Sequence, residues 1–289
     1  MSFSTGLSLV DDFFREHGHY GLIREGEPQF KVLCATVQAG DLPPVEIGKI
    51  PHSMGVMKWM QVENQASLGS CQGHALTTSC ELAIYRETRG TILQLNRMFA
   101  YRVSQKVDGI NGDRGSTLEG GAKAAETYGL PLESLWPYSG EYPSLSSIPE
   151  SCWTDAKNRK LRTHKTLENY DQVLQWLVHG IGGVEIGIGW NGSCTPDSQG
   201  RITRYRGGGG GHALALVDWT KDFVDSSGRP DIVMPNSWGK KWGLNGYAYI
   251  SPSVIDWWCE NETVIGHSDM DGPDIKPRKF NWDTDSFIP

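Results

Sequence analysis

The chain has 289 residues and a formal net charge of −7, enough length to bury a sizeable core as one large domain or two lobes. Its acidic balance, with a pI near 5.6, excludes the basic face that nucleic-acid binding needs. The one basic cluster, Lys157–Arg162, reads as solvated surface. No apolar run approaches the roughly 20 residues of a membrane span, and Met1–Gly6 has neither the positive charge nor the apolar stretch of a secretory signal. Residues 1–41 form an N-terminal extension in which Leu7–Phe14 carries apolar side chains at helical spacing. Docking onto the rest of the fold is the expected role of this extension.

Cys71–Arg89 is predicted as a helix with a narrow buried face, ended by Gly90. A second helix follows over Asn96–Lys106. A third covers Ser116–Tyr128, capped by Ser116 or Thr117, with Gly129 suited to closing it. Beyond the Pro/Ser-rich stretch 143–151 a helix is predicted near Asp171–His179. Strands are then predicted at Gly183–Trp190, Ala213–Trp219, Asp231–Asn236 and Tyr247–Ser251, with turns rich in Gly, Asn and Asp. This order predicts an α+β chain of two lobes. The first, over about 60–160, is helical, and the second, over about 161–265, is antiparallel and barrel-like. Residues 266–289 show no core-forming period and read as an extended tail.

Most of the chemical content lies in Gln65-Ala66-Ser67-Leu68-Gly69-Ser70-Cys71. Acyl transfer needs a nucleophile and, nearby, donors aimed at the oxyanion that its attack creates. A loop entering a helix at Cys71 supplies both, with Gln65 folded back beside the thiol. A thiol at a helix N-terminus next to an imidazole loses its proton readily, because the helix dipole and the imidazolium both favour thiolate. Two later segments complete a set: Gly211-His212-Ala213-Leu214 and Pro235-Asn236-Ser237-Trp238-Gly239-Lys240-Lys241-Trp242-Gly243.

These blocks, with Asp113-Arg114-Gly115-Ser116 and Trp136-Pro137-Tyr138 between them, resemble the papain/cathepsin family of cysteine peptidases, bacterial-type members above all. The resemblance covers roughly residues 42–265 and implies a two-lobed papain-like fold with the active site in the cleft. It makes Cys71 the nucleophile, His212 the base, Asn236 the residue that orients His212, and Gln65 the oxyanion donor. Gly115 and Ser116 match the place where the family pairs with substrate backbone, and Gly187 and Ala213 border the main specificity pocket. The same resemblance implies that Trp238 shields the His–Asn hydrogen bond and that Trp242 packs on the leaving-group side. The implied partner is a peptide or protein substrate, with no metal or other cofactor.

The chain departs from the family beside the nucleophile. Gln72, Gly73 and His74 stand where Trp or Thr, Ala and Phe are usual, which points to altered substrate choice. Ser116 replaces a glycine and is expected to restrict the third subsite. Leu68 and Asp113 occupy the positions of a disulfide common in secreted members, so the six cysteines point to a cytoplasmic or other reducing compartment. A Cys152–Cys194 pair stays open. Two further readings compete with a general peptidase. One is an amidase or isopeptidase acting on cell-wall or conjugated peptides. The other is a peptidase-fold component of a virion or other large assembly, docked through its terminal segments. Selective modification of Cys71 by a thiol probe discriminates an active site from a scaffold.

Overall fold

The computed structural model describes Leu22, residues 42–88 and 90–271, and the backbone at 280–281 and 286–287. The helix expected over Leu7–Phe14, and Cys34, lie outside the described residues. Helix α1 spans Cys71–Thr88, α2 Arg97–Asp108 and α3 Leu118–Thr127. Their starts follow from capping. Asn96 accepts from Phe99 N and Thr117 accepts from Gly120 N, each satisfying an amide that the first helical turn leaves unused. Gly129 closes α3 at φ +83°, and a Cβ there would strike Ala156 O at 1.9 Å.

Helix α1 is buried on all sides from Cys71 to Ile84 and not on the narrow face expected from its sequence. It runs through the middle of the molecule, against α2 and α3 on one side and β-strands on the other. Gly73 is what allows α2 so close: an added Cβ would lie 2.8 Å from both Arg97 O and Tyr101 N. The buried Arg97 guanidinium then ties the helices to their surroundings, reaching Glu63 at 2.7 Å, Glu81 at 3.1 Å and Glu133 at 3.6 Å. Burial lifts the Glu81 carboxyl to about 7 despite the opposing pull of Arg97.

The strands are β1 Lys160–Thr166, β2 Val184–Trp190, β3 Arg201–Ile202, β4 Gly210–Leu216, β5 Asp218–Val224, β6 Pro230–Pro235, β7 Tyr247–Ile250 and β8 Thr263–Asp271. They make two four-stranded sheets, ordered β1-β8-β2-β4 and β3-β7-β6-β5. No closed barrel forms among the described residues, and every pairing in the two sheets is antiparallel except β3–β7. The strand expected over Ala213–Trp219 is broken at Val217, where the chain passes from the first sheet to the second. One apolar core spans the sheets and helices α5 (Tyr170–Val178) and α6 (Pro252–Asn261), with Trp176, Trp190, Trp219 and Trp258 wholly enclosed.

Two further expectations change in the structure. Strand β8 crosses the boundary placed at residue 265/266, with Gly266, His267 and Ser268 buried against β1 and β2. Lys157–Arg162 is only partly solvated surface. β1 begins at Lys160, Leu161 is core, and Arg159 is buried in an ion pair with Asp155. A short helix α4, Glu150–Ala156, precedes it, taking Cys152 into a satellite cluster far in composition from the core that holds Cys194. Cys152 and Cys194 are both free thiols, so the Cys152–Cys194 pair does not form. No helix among the described residues is long and apolar enough to cross a membrane.

Candidate active site

Cys71 is the first residue of α1 and is fully buried. It packs in one apolar cluster with Ala75, Leu118, Ala213 and Ile265. His212 lies in β4, one residue before Ala213, and its partner across the sheet is Ile188. The next residue, Ala213, packs with Cys71, so the segment of β4 that carries His212 meets the start of α1. His212 Nε2 is 3.0 Å from Asn236 Oδ1, while Nδ1 has no hydrogen-bond partner among the described residues. A side-chain carbonyl can only accept, so Nε2 carries the proton and Nδ1 is the basic nitrogen. Burial lowers the imidazole pKa to about 4, and the Asn236 contact works in the opposite direction.

The ring sits in an aromatic enclosure. Trp238 stacks on it at 4.7 Å between centroids, and Trp190 meets it edge-on at 5.0 Å. Trp242 stands behind, 5.9 Å from Trp190 and 6.2 Å from Trp238. Trp190 was not singled out in the sequence. It ends a predicted strand, and only the register Trp190–Gly210 brings it to His212.

Gln65 is fully buried, and both ends of its amide are held. Nε2 donates to Leu68 O at 2.8 Å, and Oε1 accepts from Ser237 Oγ at 2.6 Å. Its backbone N–H donates to Ser237 O at 2.7 Å, which stitches the loop before Cys71 to the Asn236 loop. Tyr138 adds a third tie, its hydroxyl donating to Gln65 O at 2.8 Å and lying 2.7 Å from Ser70 Oγ. At the would-be disulfide positions, Leu68 is core, and Asp113 Oδ1 accepts from Gly69 N at 2.9 Å and from Tyr101 Oη at 2.7 Å.

Gly115 adopts φ +84° and its carbonyl accepts from Gln105 Nε2 at 2.8 Å. Ser116 does not reach into a subsite as expected. It is buried, and its hydroxyl donates to Gln72 Oε1 at 3.0 Å. Gln72 Nε2 in turn donates to the buried Glu185 at 3.2 Å. A Cβ at Gly121 would fall 1.8 Å from Gln72 Nε2, so the small residue on α3 makes room for this side chain. The unusual residues after Cys71 thus each have a packing partner.

Gly187 and Ala213 are direct cross-strand partners. Leu22 of the N-terminal extension lies on them. Its N–H donates to Gly211 O at 3.1 Å, and it forms a parallel bridge with Ser116. A Cβ added at Gly187 would come within 2.6 Å of Leu22 Cδ2. The Leu22 side chain packs with Cys71, Leu118, Ala213 and Ile265. Nothing in the sequence marked Leu22, because its partners are distant in the chain.

The fold is α+β, with Cys71 at a helix start that packs on the strand carrying His212. Residues 52–266 match the profile of papain family cysteine proteases, and the chain belongs to that family. It is therefore a peptidase that hydrolyses peptide bonds. Among relatives, an uncharacterized peptidase C1-like protein of Acanthamoeba polyphaga mimivirus is 24% identical over 247 residues, covering 76% of each chain. A probable cysteine protease of Arabidopsis thaliana is 27% identical over 257 residues, covering 80% of this chain and 63% of its own. The chain spans 54–63% of the length of the plant and mouse relatives it matches. In fold it is similar to xylellain, a cysteine protease from Xylella fastidiosa, with TM-score 0.65 and 20% identity over 89% of this chain and 97% of that one. Bromelain from Ananas comosus gives TM-score 0.57 and 17% identity over 76% and 99%.

Proposed function

We propose that this peptidase cleaves peptide bonds through a thioester formed on Cys71. The observation that carries the reading is the polarity of His212, whose Nε2 is committed to Asn236 while Nδ1 remains as the base beside α1. In this mechanism Nδ1 takes the Cys71 proton as Sγ attacks the substrate carbonyl. The oxyanion is met by the Gln65 amide and the Cys71 backbone N–H. His212 then protonates the leaving amine, and water, deprotonated by the same nitrogen, hydrolyses the thioester. Trp190 and Trp238 keep water from the His212–Asn236 bond, so that the ring holds one orientation.

Substrate binding is read from Leu22. Its main-chain ties to Gly211 and Ser116, and its side chain over Gly187 and Ala213, mark a line where an extended peptide adds to the cleft and an aliphatic side chain fills the pocket. On this reading the N-terminal extension competes with substrate, in place of the stabilising arm that its composition suggested. An iodoacetamide or epoxide thiol probe tests the core of the proposal. It should modify Cys71 far faster than the other cysteines near pH 6, where an ordinary thiol with pKa about 8.5 is protonated. Cys71→Ala and His212→Ala should each abolish peptide turnover, whereas Asn236→Ala should leave a residual rate. Equal labelling of all accessible cysteines would remove Cys71 as nucleophile.

A further inference from the structure

The loop Gln65–Ser70 carries one oxyanion donor at its start and delivers the other, the Cys71 N–H, at its end. It turns tightly. Ala66 sits at φ +52°, in the left-handed region that a residue with a Cβ adopts only at a cost. Its N–H donates to Asn64 Oδ1 at 3.0 Å, and Leu68 N donates to Gln65 O at 3.2 Å. These ties fold the first half of the loop. One atom joins its two ends: Tyr138 Oη lies 2.8 Å from Gln65 O and 2.7 Å from Ser70 Oγ.

The proton at that atom has a definite place. Gln65 O only accepts, so the phenol donates to it, and Oη then accepts from the Ser70 hydroxyl. His74 Nδ1 is 3.5 Å from the same hydroxyl, but its closer contact is Ser70 O at 3.0 Å. Burial raises the Tyr138 pKa, so the phenol stays a neutral donor at ordinary pH.

Tyr138 is itself held from outside the loop. Its N–H donates to Glu133 Oε1 at 2.6 Å, and Glu133 Oε2 accepts from the N–H of Arg97, the first residue of α2, at 3.2 Å. Two residues earlier, Trp136 O accepts from Asn96 Nδ2 at 2.6 Å. The Tyr138 ring meets His74 edge-on at 4.8 Å and packs against the cluster of Leu68, Met98 and Tyr101. The start of α2 thus anchors Tyr138, and Tyr138 pins the loop.

We propose that the Tyr138 hydroxyl is a positioning group for the oxyanion site, setting the separation between the Gln65 amide and the Cys71 N–H by tying Gln65 O to Ser70 Oγ. Two donors stabilise one oxygen only while both are aimed at the same place, and a displacement at either end of the loop spoils that aim. The hydroxyl acts through the loop and not on the substrate. Its role rests on the reading of Cys71 and Gln65 given above.

The test uses the full chain with Tyr138→Phe, which removes one oxygen and keeps the ring. Peptide turnover develops an oxyanion. Alkylation of Cys71 by iodoacetamide does not, because Sγ displaces iodide from the methylene carbon and the amide carbonyl gains no bond. Tyr138→Phe should therefore lose about three- to tenfold in kcat, as for one ordinary hydrogen bond, with KM and the rate and pH profile of Cys71 alkylation unchanged. Ser70→Ala cuts the same tie at its other end and should show the same split; it stands in should the Phe protein fail to fold. Once Gln65 is Ala, no separation between two side-by-side donors remains to be set, so Tyr138→Phe should cost little further in that background. Wild-type kcat in Tyr138→Phe, or in Ser70→Ala where that variant stands in, would overturn the proposal. Alkylation that falls in step with kcat, or a loss that adds in full to that of Gln65→Ala, would overturn it equally. A wild-type protein that neither labels at Cys71 nor turns over peptides, or whose kcat survives Gln65→Ala, would instead remove the reading beneath it.

Discussion

Replacing Leu22 by Asp is the sharpest perturbation of the cleft. Full burial of a leucine side chain contributes about 1.5–3 kcal/mol. Leu22 is half-buried, so its contacts with Leu118, Ala213 and Ile265 are worth about 1–2 kcal/mol, roughly a 5–30-fold bias in occupancy. A carboxylate in that apolar pocket adds a desolvation penalty. Leu22→Asp should therefore raise both kcat/KM on a peptide with leucine at the matching position and the rate of Cys71 alkylation, by about 5–30-fold. Leu22→Met should stay near wild type, since it fills the same space. Alkylation reads access to the thiol without any assumption about the preferred substrate, so agreement between the two assays separates release of the cleft from a change in chemistry. Unchanged rates with a lowered Tm would refute the reasoning and return the extension to the role of a stabilising arm.

Gln65→Ala should lower kcat by about 10²–10³-fold, the usual loss for one oxyanion donor. Steady-state kinetics on a fluorogenic peptide check this, and an unchanged kcat would remove Gln65 from the reaction. Gly73→Ala should destabilise by about 1–3 kcal/mol through overpacking against the α2 backbone, although alanine is the better helix former by about 1 kcal/mol. Urea unfolding decides the sign. Burial lowers the His267 pKa to about 3, with His164 adding to the shift. Its folded value lies below its unfolded one, so the contribution to stability is complete above about pH 6.5 and lost as pH falls toward 3. Wild-type protein should accordingly lose stability between pH 6.5 and 4 more steeply than His267→Gln, by up to about 1.4 kcal/mol per pH unit. Parallel curves for the two proteins would show that His267 takes up its proton as readily in the fold as in the unfolded chain.

The helical lobe was legible because its signals are local. Asn96 and Thr117 cap the helices they were expected to start, and Gly129 sits where a left-handed residue ends α3. The order of Gln65, Cys71, His212 and Asn236 was legible too, since the flanking glycines and tryptophans are contiguous in sequence. The second lobe hid what depends on distant partners. Gly266-His267-Ser268 resembles a polar tail until Ser79 Oγ, 3.1 Å from His267 Nδ1, and the neighbouring Glu185 give it a buried setting. Helix α6 was overlooked although Pro252 at its first turn is a local start signal. Ser116 shows the reverse error. A residue read from its place beside the cleft was expected to face substrate, yet Gln72, 44 positions away, turns its hydroxyl inward.

The cradle of Cys71 is closed by Gly69, Asp113 and Tyr101 through hydrogen bonds, with Leu68 packed on Met98 and Tyr101. The reactive thiol and the loop that presents it therefore respond to reductant in different ways. Millimolar thiol keeps Sγ reduced and leaves these ties intact, so the protein can be prepared and assayed under the conditions that best protect its nucleophile.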